Sequence, residues 1–348
     1  MNEPAYAAIK NYLLKLIGEH KAETNYMLPS EKQLCLKFNV SREPVRKALA
    51  VLQQNNAIIK KQGKGTFINP DFLPEIASES RKILLALILP DISTPFLQNI
   101  TLGIRKYCDE TGNNYILLPS FSSSETEQKN IRLAQKLNCD GILLMPVDGE
   151  SYNDALLELI IKKTPCILLD RNLIGLNLPS VSSDHRKMGY EAAKYLLEKG
   201  YDKIAYFAQT DAITSVNERA QGYLQALHEH KNREQLLVNL SGHDNETMHE
   251  QLEYFLKNHS DINGVIINSG IPEANLIKAL HSIGRTIGEG IGMICFDDNN
   301  LLIDLCLNIK TRTIVQDSFQ IGYVSATLLI EWIRSGKIPP TKTMIDIK

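Results

Sequence analysis

The chain has 348 residues, 43% apolar and 22% charged, with a net charge of −2. That balance excludes a disordered polyelectrolyte, and the longest apolar stretch, "ILLALIL" at 83–89, is too short to span a bilayer. The near-neutral total hides an asymmetry: residues 1–70 hold 11 Lys+Arg against 5 Asp+Glu, and the rest hold 27 against 35.

In chain order, "AYAAIKNYLLKLI" (5–17) has the period of an amphipathic helix. Ser30-Glu31-Lys32-Gln33 then spells a capping box that opens a second helix through about Phe38. Asn39-Val40 leaves room only for a tight turn. Ser41 is a good N-cap for a third helix. Pro44 falls in its first turn, where an amide N–H has no intrahelical partner to lose. On that helix Val45, Ala48, Leu49 and Leu52 share one face, and Arg42 and Arg46 lie together beside it with no acid at i±4. "IIKKQGKGTFI" (58–68) reads as a β-hairpin with a basic tip. Helix, helix-turn-helix and hairpin make a winged helix, whose third helix is placed to enter a major groove. Basic charge on so small a module is the footprint of phosphate binding; the plainer reading is a solvated basic surface.

"NPDFLPEIASESR" (69–81) holds two prolines and no apolar period, so it marks a boundary. The division predicted is a DNA-binding domain over 1–70, a linker over 71–81 and a second domain over 82–348. From residue 82, apolar runs at 82–90, 114–119, 141–147, 166–170, 203–208, 264–268 and 291–296 alternate with helical patterns such as "ETEQKNIRLAQKLN" and "HRKMGYEAAKYLLEKG". That is the signature of an α/β domain with buried parallel sheets flanked by helices, long enough for two similar lobes.

In such sheets ligands bind beyond the C-terminal strand ends. Those positions hold Thr94 and Phe96 (with Asp91 and Ser93), Asp170 and Arg171, Asn268 and Ser269, Asp297, and Gln316; Arg219 opens a helix in "TSVNERAQGY". Carboxylate, amide and guanidinium groups around an aromatic ring suit a polyhydroxylated ligand. Any single Asp among them could instead be a helix cap, and Arg171 a surface ion-pair residue. No P-loop, strand-linked G-x-G-x-x-G, G-x-S-x-G elbow or H-E-x-x-H is found, so neither an enzyme nor a cofactor is expected. The six cysteines have no C-x-x-C spacing and read as inert core thiols of a cytoplasmic protein. No acidic or Cys cluster completes a metal site around the histidines, and no signal peptide is expected.

"LPSEKQLCLKFNVSREPVRKALAVLQQNNAIIKKQGKGTF" resembles the DNA-binding domain of the GntR family of bacterial transcription regulators, over about residues 5–68. The resemblance implies DNA contacts at Arg42 and Arg46, at the wing tip from Gln62, Gly63 and Lys64 to Gly65 and Thr66, and phosphate contacts at Lys32 and Ser41. Glu43 stands where many relatives carry a small or neutral residue. It could accept from a cytosine N4 amine or simply favour the helix N-terminus. "LPDISTPFLQNITLGIRKYCDETGNNYILL", "DGILLMPV", "PCILLDRNL", "CFDDNN" and "TRTIVQDSFQIGYVSATLLIEWI" resemble, in order, the effector domain of the lactose-repressor family and the type I periplasmic sugar-binding proteins. That resemblance implies ligand contacts at Phe96, Asp170, Arg171, Arg219, Asp297 and Gln316. "IINSGIPEAN" leaves either Asn268 or Ser269 in the family's Asn position, and Thr94 stands where sugar binders often have Asn. The pairing of these two domains is similar to that of the bacterial arabinose repressors. It implies a repressor that works as a homodimer on double-stranded operator DNA, answers a small sugar (a pentose first) and has no membrane partner. A ligand-dependent activator, or a repressor needing its ligand, is the alternative.

Overall fold

The computed structural model describes residues 5–20, 26–54, 56–61, 64–69, 82–147, 153–173, 175–209, 214–231, 235–241, 244–268, 271, 273–297 and 312–347. Gln62, Gly63, Ser269 and the expected linker over 71–81 lie outside them. The chain divides into two compact units, Met1–Lys82 and Ile83–Lys348.

The first unit runs α1 (Ala5–Glu19), α2 (Glu31–Phe38), α3 (Arg42–Gln54), β1 (Ile58–Lys61) and β2 (Gly65–Ile68), the two strands forming an antiparallel hairpin. The capping box closes as spaced: the Gln33 backbone N–H donates to Ser30 Oγ at 3.3 Å, and the Ser30 N–H donates to Gln33 Oε1 at 2.8 Å. Asn39 ends α2 in the left-handed region, at φ 50, which its short polar side chain tolerates. Pro44 sits in the first turn of α3, so the helix forms through it. Val45, Ala48, Leu49 and Leu52 are buried against Ile9, Leu13 and Ile17 of α1, Leu34 of α2, and Ile58 and Ile68 of the hairpin. One core therefore fixes the turn between α2 and α3 and the wing together.

The second unit has two lobes. In lobe 1, β3 (Leu84–Leu89), β4 (Asn114–Pro119), β5 (Gly141–Leu144), β6 (Cys166–Leu169), β7 (Ser180–Ser183) and β13 (Lys342–Ile345) form a parallel sheet ordered β13-β7-β6-β5-β3-β4. It carries α4 (Pro95–Thr111), α5 (Ser124–Lys136), α6 (Asp154–Ile161) and α11 (Ser318–Ser335). In lobe 2, β8 (Ile204–Gln209), β9 (Leu236–Leu240), β10 (Gly264–Ile267), β11 (Gly292–Phe296) and β12 (Arg312–Ile314) form a parallel sheet ordered β12-β11-β10-β8-β9. It carries α7 (His185–Glu198), α8 (Thr214–Glu229), α9 (Asn245–Asn258) and α10 (Glu273–Ser282). The chain crosses between lobes from β7 into α7 and from β12 into α11. The central strands β3, β5, β6, β10 and β11 are buried almost throughout, as expected for sheets covered on both faces. β7, β9 and β13 were not among the expected apolar runs. "SVSS" has a single apolar residue, and β9 and β13 are edge strands with alternating exposure.

The lobes repeat one device in sequence and space. Asp184-His185-Arg186-Lys187-Met188-Gly189-Tyr190 opens α7, and Asp317-Ser318-Phe319-Gln320-Ile321-Gly322-Tyr323 opens α11. Each Asp caps its helix by accepting from the backbone N–H three residues on, at 2.9 and 3.2 Å. A Cβ on Gly189 would overlap the Arg219 carbonyl, and one on Gly322 would overlap the Ile100 carbonyl; Gly222 and Gly103 answer from α8 and α4. Tyr190 then donates to Glu229 at 2.6 Å, and Tyr323 to Glu110 at 2.9 Å. Only glycine permits helices to cross this closely.

Candidate functional site

On the first unit the side chains of Lys32, Ser41, Arg42, Glu43 and Arg46 are exposed, as are Lys64 and Gly65 at the wing, with Thr66 half-buried. Gly65 has φ +117, and a Cβ there would approach Met27 Sδ to 3.0 Å, so the wing needs glycine at this point. Arg46 has no acid at i±4, yet it is paired: its Nε donates to Glu31 Oε2 at 3.2 Å, and Lys60 Nζ lies 3.9 Å from Glu31 Oε1. The partner is on the neighbouring helix, fifteen residues back. An exposed pair of this kind is worth about 0–1 kcal/mol, so it orients Arg46 without tying it down.

In the second unit the predicted strand-end residues converge on Arg219, a fully buried cation. Asp170 follows β6 and Asp297 follows β11, both in the left-handed region at φ 62 and φ 65. Their backbone N–H groups donate to Val181 O at 2.8 Å and Ile314 O at 3.0 Å in the adjacent strands, which holds the two strained residues in place. Arg219 Nη1 donates to Asn268 Oδ1 at 2.9 Å, Nη2 lies 3.5 Å from Asp297 Oδ2, and the guanidinium stands 4.6 Å from the centre of the Phe296 ring. Gln316 Nε2 donates to Asp297 at 3.0 and 3.1 Å. Asn268 Nδ2 donates to the Tyr206 hydroxyl at 3.0 Å. Arg171 reaches the opposite way, donating through Nη1 to Pro146 O at 2.9 Å. Thr214 Oγ1 exchanges hydrogen bonds with Asn172 N and O at 3.0 and 3.2 Å, joining the β6 end of lobe 1 to the start of α8 in lobe 2.

Burial pushes the Asp170 carboxyl up, but His185 and the Arg219 and Arg171 guanidiniums outweigh it and hold the group below the ordinary Asp value. Burial also pushes Asp297 up; there Arg219 opposes the shift, Asp170 adds to it, and the net direction is upward. Gln316 Oε1 is a buried acceptor that receives no hydrogen bond from the described residues, and buried Asp170 Oδ1 has only the approach of His185 Nε2, at 3.1 Å. Thr94 and Phe96 stand at the start of α4 in lobe 1. Thr94 is the N-cap of α4, accepting from Leu97 N at 3.4 Å, and Phe96 is half-buried against the lobe 1 core.

Sequence reasoning missed two members. His185 lies between Asp170 and Arg219, with Nε2 3.1 Å from Asp170 Oδ1 and Nδ1 3.3 Å from Arg219 Nε. It follows β7, whose polar sequence hid the strand end. Tyr206 sits inside the apolar run of β8, and nothing in that run marks its hydroxyl as part of a polar network. Cys108 and Cys166 are core thiols, pushed by burial up to about 11 and about 12, and therefore inert as nucleophiles.

The pattern that defines the periplasmic binding proteins and sugar binding domain of the LacI family matches residues 82–348. The chain belongs to this family. Residues 5–68 match the bacterial regulatory proteins of the gntR family, so the LacI-type domain is joined to a GntR-type DNA-binding helix-turn-helix, and the protein is a transcription regulator. It is 22% identical over 344 residues to an arabinose metabolism transcriptional repressor of Geobacillus stearothermophilus, covering 96% of this chain and 93% of the relative. It is 24% identical over 270 residues to a ribose operon repressor of Halalkalibacterium halodurans, covering 76% and 77%. The crystal structure of transcription regulator CcpA of Lactococcus lactis superposes with a TM-score of 0.66 at 23% identity, covering 77% of this chain and 97% of that one. The LacI-type domain thus accounts for the parallel two-lobed fold, and its strand-end cluster lies where such folds bind ligands.

Proposed function

We propose that the protein is a homodimeric transcriptional repressor, acting in the cytoplasm, whose operator affinity is set by an uncharged sugar held at the Arg219 cluster, a pentose of the arabinose type first. The carrying observation is a pair of buried acceptors with lone pairs to spare, in a site that already contains its own counter-charges: Gln316 Oε1 takes no hydrogen bond from the described residues, and Asp170 Oδ1 has only His185 Nε2 beside it. Sugar hydroxyls are donors that fill such acceptors. Asp170 and Asp297 balance Arg171 and Arg219, and Arg219 already shares its donors among His185, Asn268 and Asp297. That favours a neutral polyol over a sugar phosphate, which would need cation donors in surplus. The Phe296 face is occupied by Arg219, leaving Phe96 as the candidate ring for sugar C–H groups. At the other unit, Arg42 and Arg46 read base edges, Glu43 faces the same groove, and Ser41, Lys32, Lys64 and the wing meet phosphate. Two copies present two such readers to a palindromic operator.

Among the described residues no helix is long and apolar enough to cross a membrane, and the relatives act by binding, which supports a regulator over an enzyme. The test is a thermal-shift screen of the full chain with L-arabinose, D-ribose, D-xylose and their phosphates, since a ligand stabilises by RT ln(1 + [L]/Kd). Stabilisation by a neutral pentose is expected; stabilisation by phosphates alone overturns the neutral-sugar reading. A mobility-shift assay with the stabilising sugar fixes the sign: release of operator supports an inducer, and tighter binding supports the co-repressor alternative.

A further inference from the structure

His185 opens α7 immediately after the chain crosses from lobe 1 to lobe 2, and its side chain is 1% exposed. Arg219 Nε, 3.3 Å from His185 Nδ1, can only donate. Nδ1 is therefore the acceptor, and the single ring proton is on Nε2. That nitrogen faces Asp170, 3.1 Å from both its carbonyl oxygen and Oδ1; the carbonyl takes the better-directed bond and the carboxylate lies beside it. The other neutral tautomer would set N–H against N–H on the Arg219 side and leave Asp170 facing a lone pair.

Packing does not demand a histidine here. In the lobe 1 copy of the device Ser318 follows the capping Asp317, where His185 follows Asp184. The carbonyl that meets the crossing glycine belongs to Ile100 in lobe 1 and to Arg219 in lobe 2. The two lobes thus build the same crossing, and at both places lobe 2 carries a side chain that can join the cluster: His185 in place of Ser318 and Arg219 in place of Ile100. Those two residues are bonded to each other.

We propose that His185 is a positioning residue of the effector site: its Nε2–H tautomer holds the Arg219 guanidinium of lobe 2 in register with Asp170 of lobe 1. Arg219 then presents a fixed orientation to the ligand, and a shift of either lobe is felt at the other's charged group. The assignment rests on the sensor reading of the cluster, so its test has one arm that needs no ligand.

In the full-length protein with isotope-labelled histidine and arginine, nitrogen spectra should show His185 as the Nε2–H tautomer and an exchange-protected Nε–H resonance for Arg219. H185S, which copies the lobe 1 residue, should fold but lose that protection; H185Q, whose amide both donates and accepts, should restore it. With L-arabinose as the probe, affinity should fall about tenfold or more in H185S and return to within about threefold of the parent in H185Q. An Nδ1–H tautomer overturns the assignment, and so does Arg219 protection that survives H185S. Equal L-arabinose affinity in the parent and H185S overturns it as well. Failure of the parent to bind L-arabinose overturns the arabinose reading instead, and the spectra still decide the role of His185.

Discussion

Arg42 and Arg46 point away from the apolar face of α3, because Val45, Ala48, Leu49 and Leu52 fill that face. Truncating either arginine should therefore leave the fold intact and cost roughly 1–3 kcal/mol of specific operator binding if it makes a bidentate base contact. Mobility shifts on operator and scrambled DNA check this; parent-like binding by both variants would remove α3 from the groove. At the Arg219 cluster, D297N keeps size but removes the charge facing Arg219. We expect effector affinity to drop by about ten- to a hundredfold, the cost of losing a charged hydrogen-bond partner, with operator binding retained. Titration calorimetry reads the first and mobility shift the second. Glu127 offers a test by pH. It is 1% exposed on α5 and accepts from Val147 N and Asn153 Nδ2, both at 2.8 Å. Burial pushes its carboxyl up to about 7, from an ordinary 4.5. A raised folded value means that its contribution to stability is full below about 4.5 and is lost as pH rises through about 7. Between pH 5 and 8 the parent should thus lose stability relative to E127Q, on the order of 3 kcal/mol in total. Parallel denaturation curves for the two proteins across that range would contradict the assignment.

The helix pairs carry the next set of consequences. α7 crosses α8 and α4 crosses α11 through reciprocal glycines, and in both lobes the obstructing atoms are backbone. Backbone cannot rotate away as a side chain can, so G189A and G103A should each cost about 1–3 kcal/mol or more by overpacking. Their functional effects should differ. Gly189 abuts the backbone of Arg219, whereas Gly103 abuts Phe319 and Tyr323 in lobe 1. G189A should displace Arg219 and weaken the effector, while G103A should spare it at equal loss of stability. Denaturant unfolding alongside calorimetry separates the two; equal affinity in both variants would mean that the crossing does not set Arg219. The repeat of Asp cap, crossing glycine and Tyr–Glu bond was present in the sequence all along. It carries little weight there, because Gly-Tyr after Asp is unremarkable until the two helices are seen crossing identically.

For the whole molecule, the charge split matters more than the net charge. The basic first seventy residues and the acidic remainder mean that only the small unit attracts DNA, and the acidic sensor unit repels it. K64A should weaken binding across all DNA sequences and lower the salt slope by about one, as expected for a phosphate contact; an unchanged slope would take Lys64 off the backbone. Effector and operator engage separate units, so their influence on each other is a coupling free energy and must be reciprocal. Whatever factor the sugar imposes on operator affinity, operator DNA should impose on sugar affinity.

Sequence alone determined the elements whose cause is local. The capping box at Ser30, the proline in the first turn of α3, the hairpin and the buried runs of the central strands follow from neighbours within a few residues, and they form where expected. It also pointed to most of the residues that meet at Arg219, because a parallel sheet exposes its chemistry at strand ends and those ends could be counted. Only the tertiary structure decided what depends on distant chain segments. Glu31 reaches Arg46 because α2 and α3 share a core. β7 is a strand despite its polar sequence because it lies between β6 and β13 of lobe 1. Thr94 caps α4, and Phe96 packs on the lobe 1 core. His185 belongs to the site through two contacts, to residues 15 positions before it and 34 after. Periodicity reports on a residue's own helix or strand, and hydrogen bonds between lobes leave no period to read.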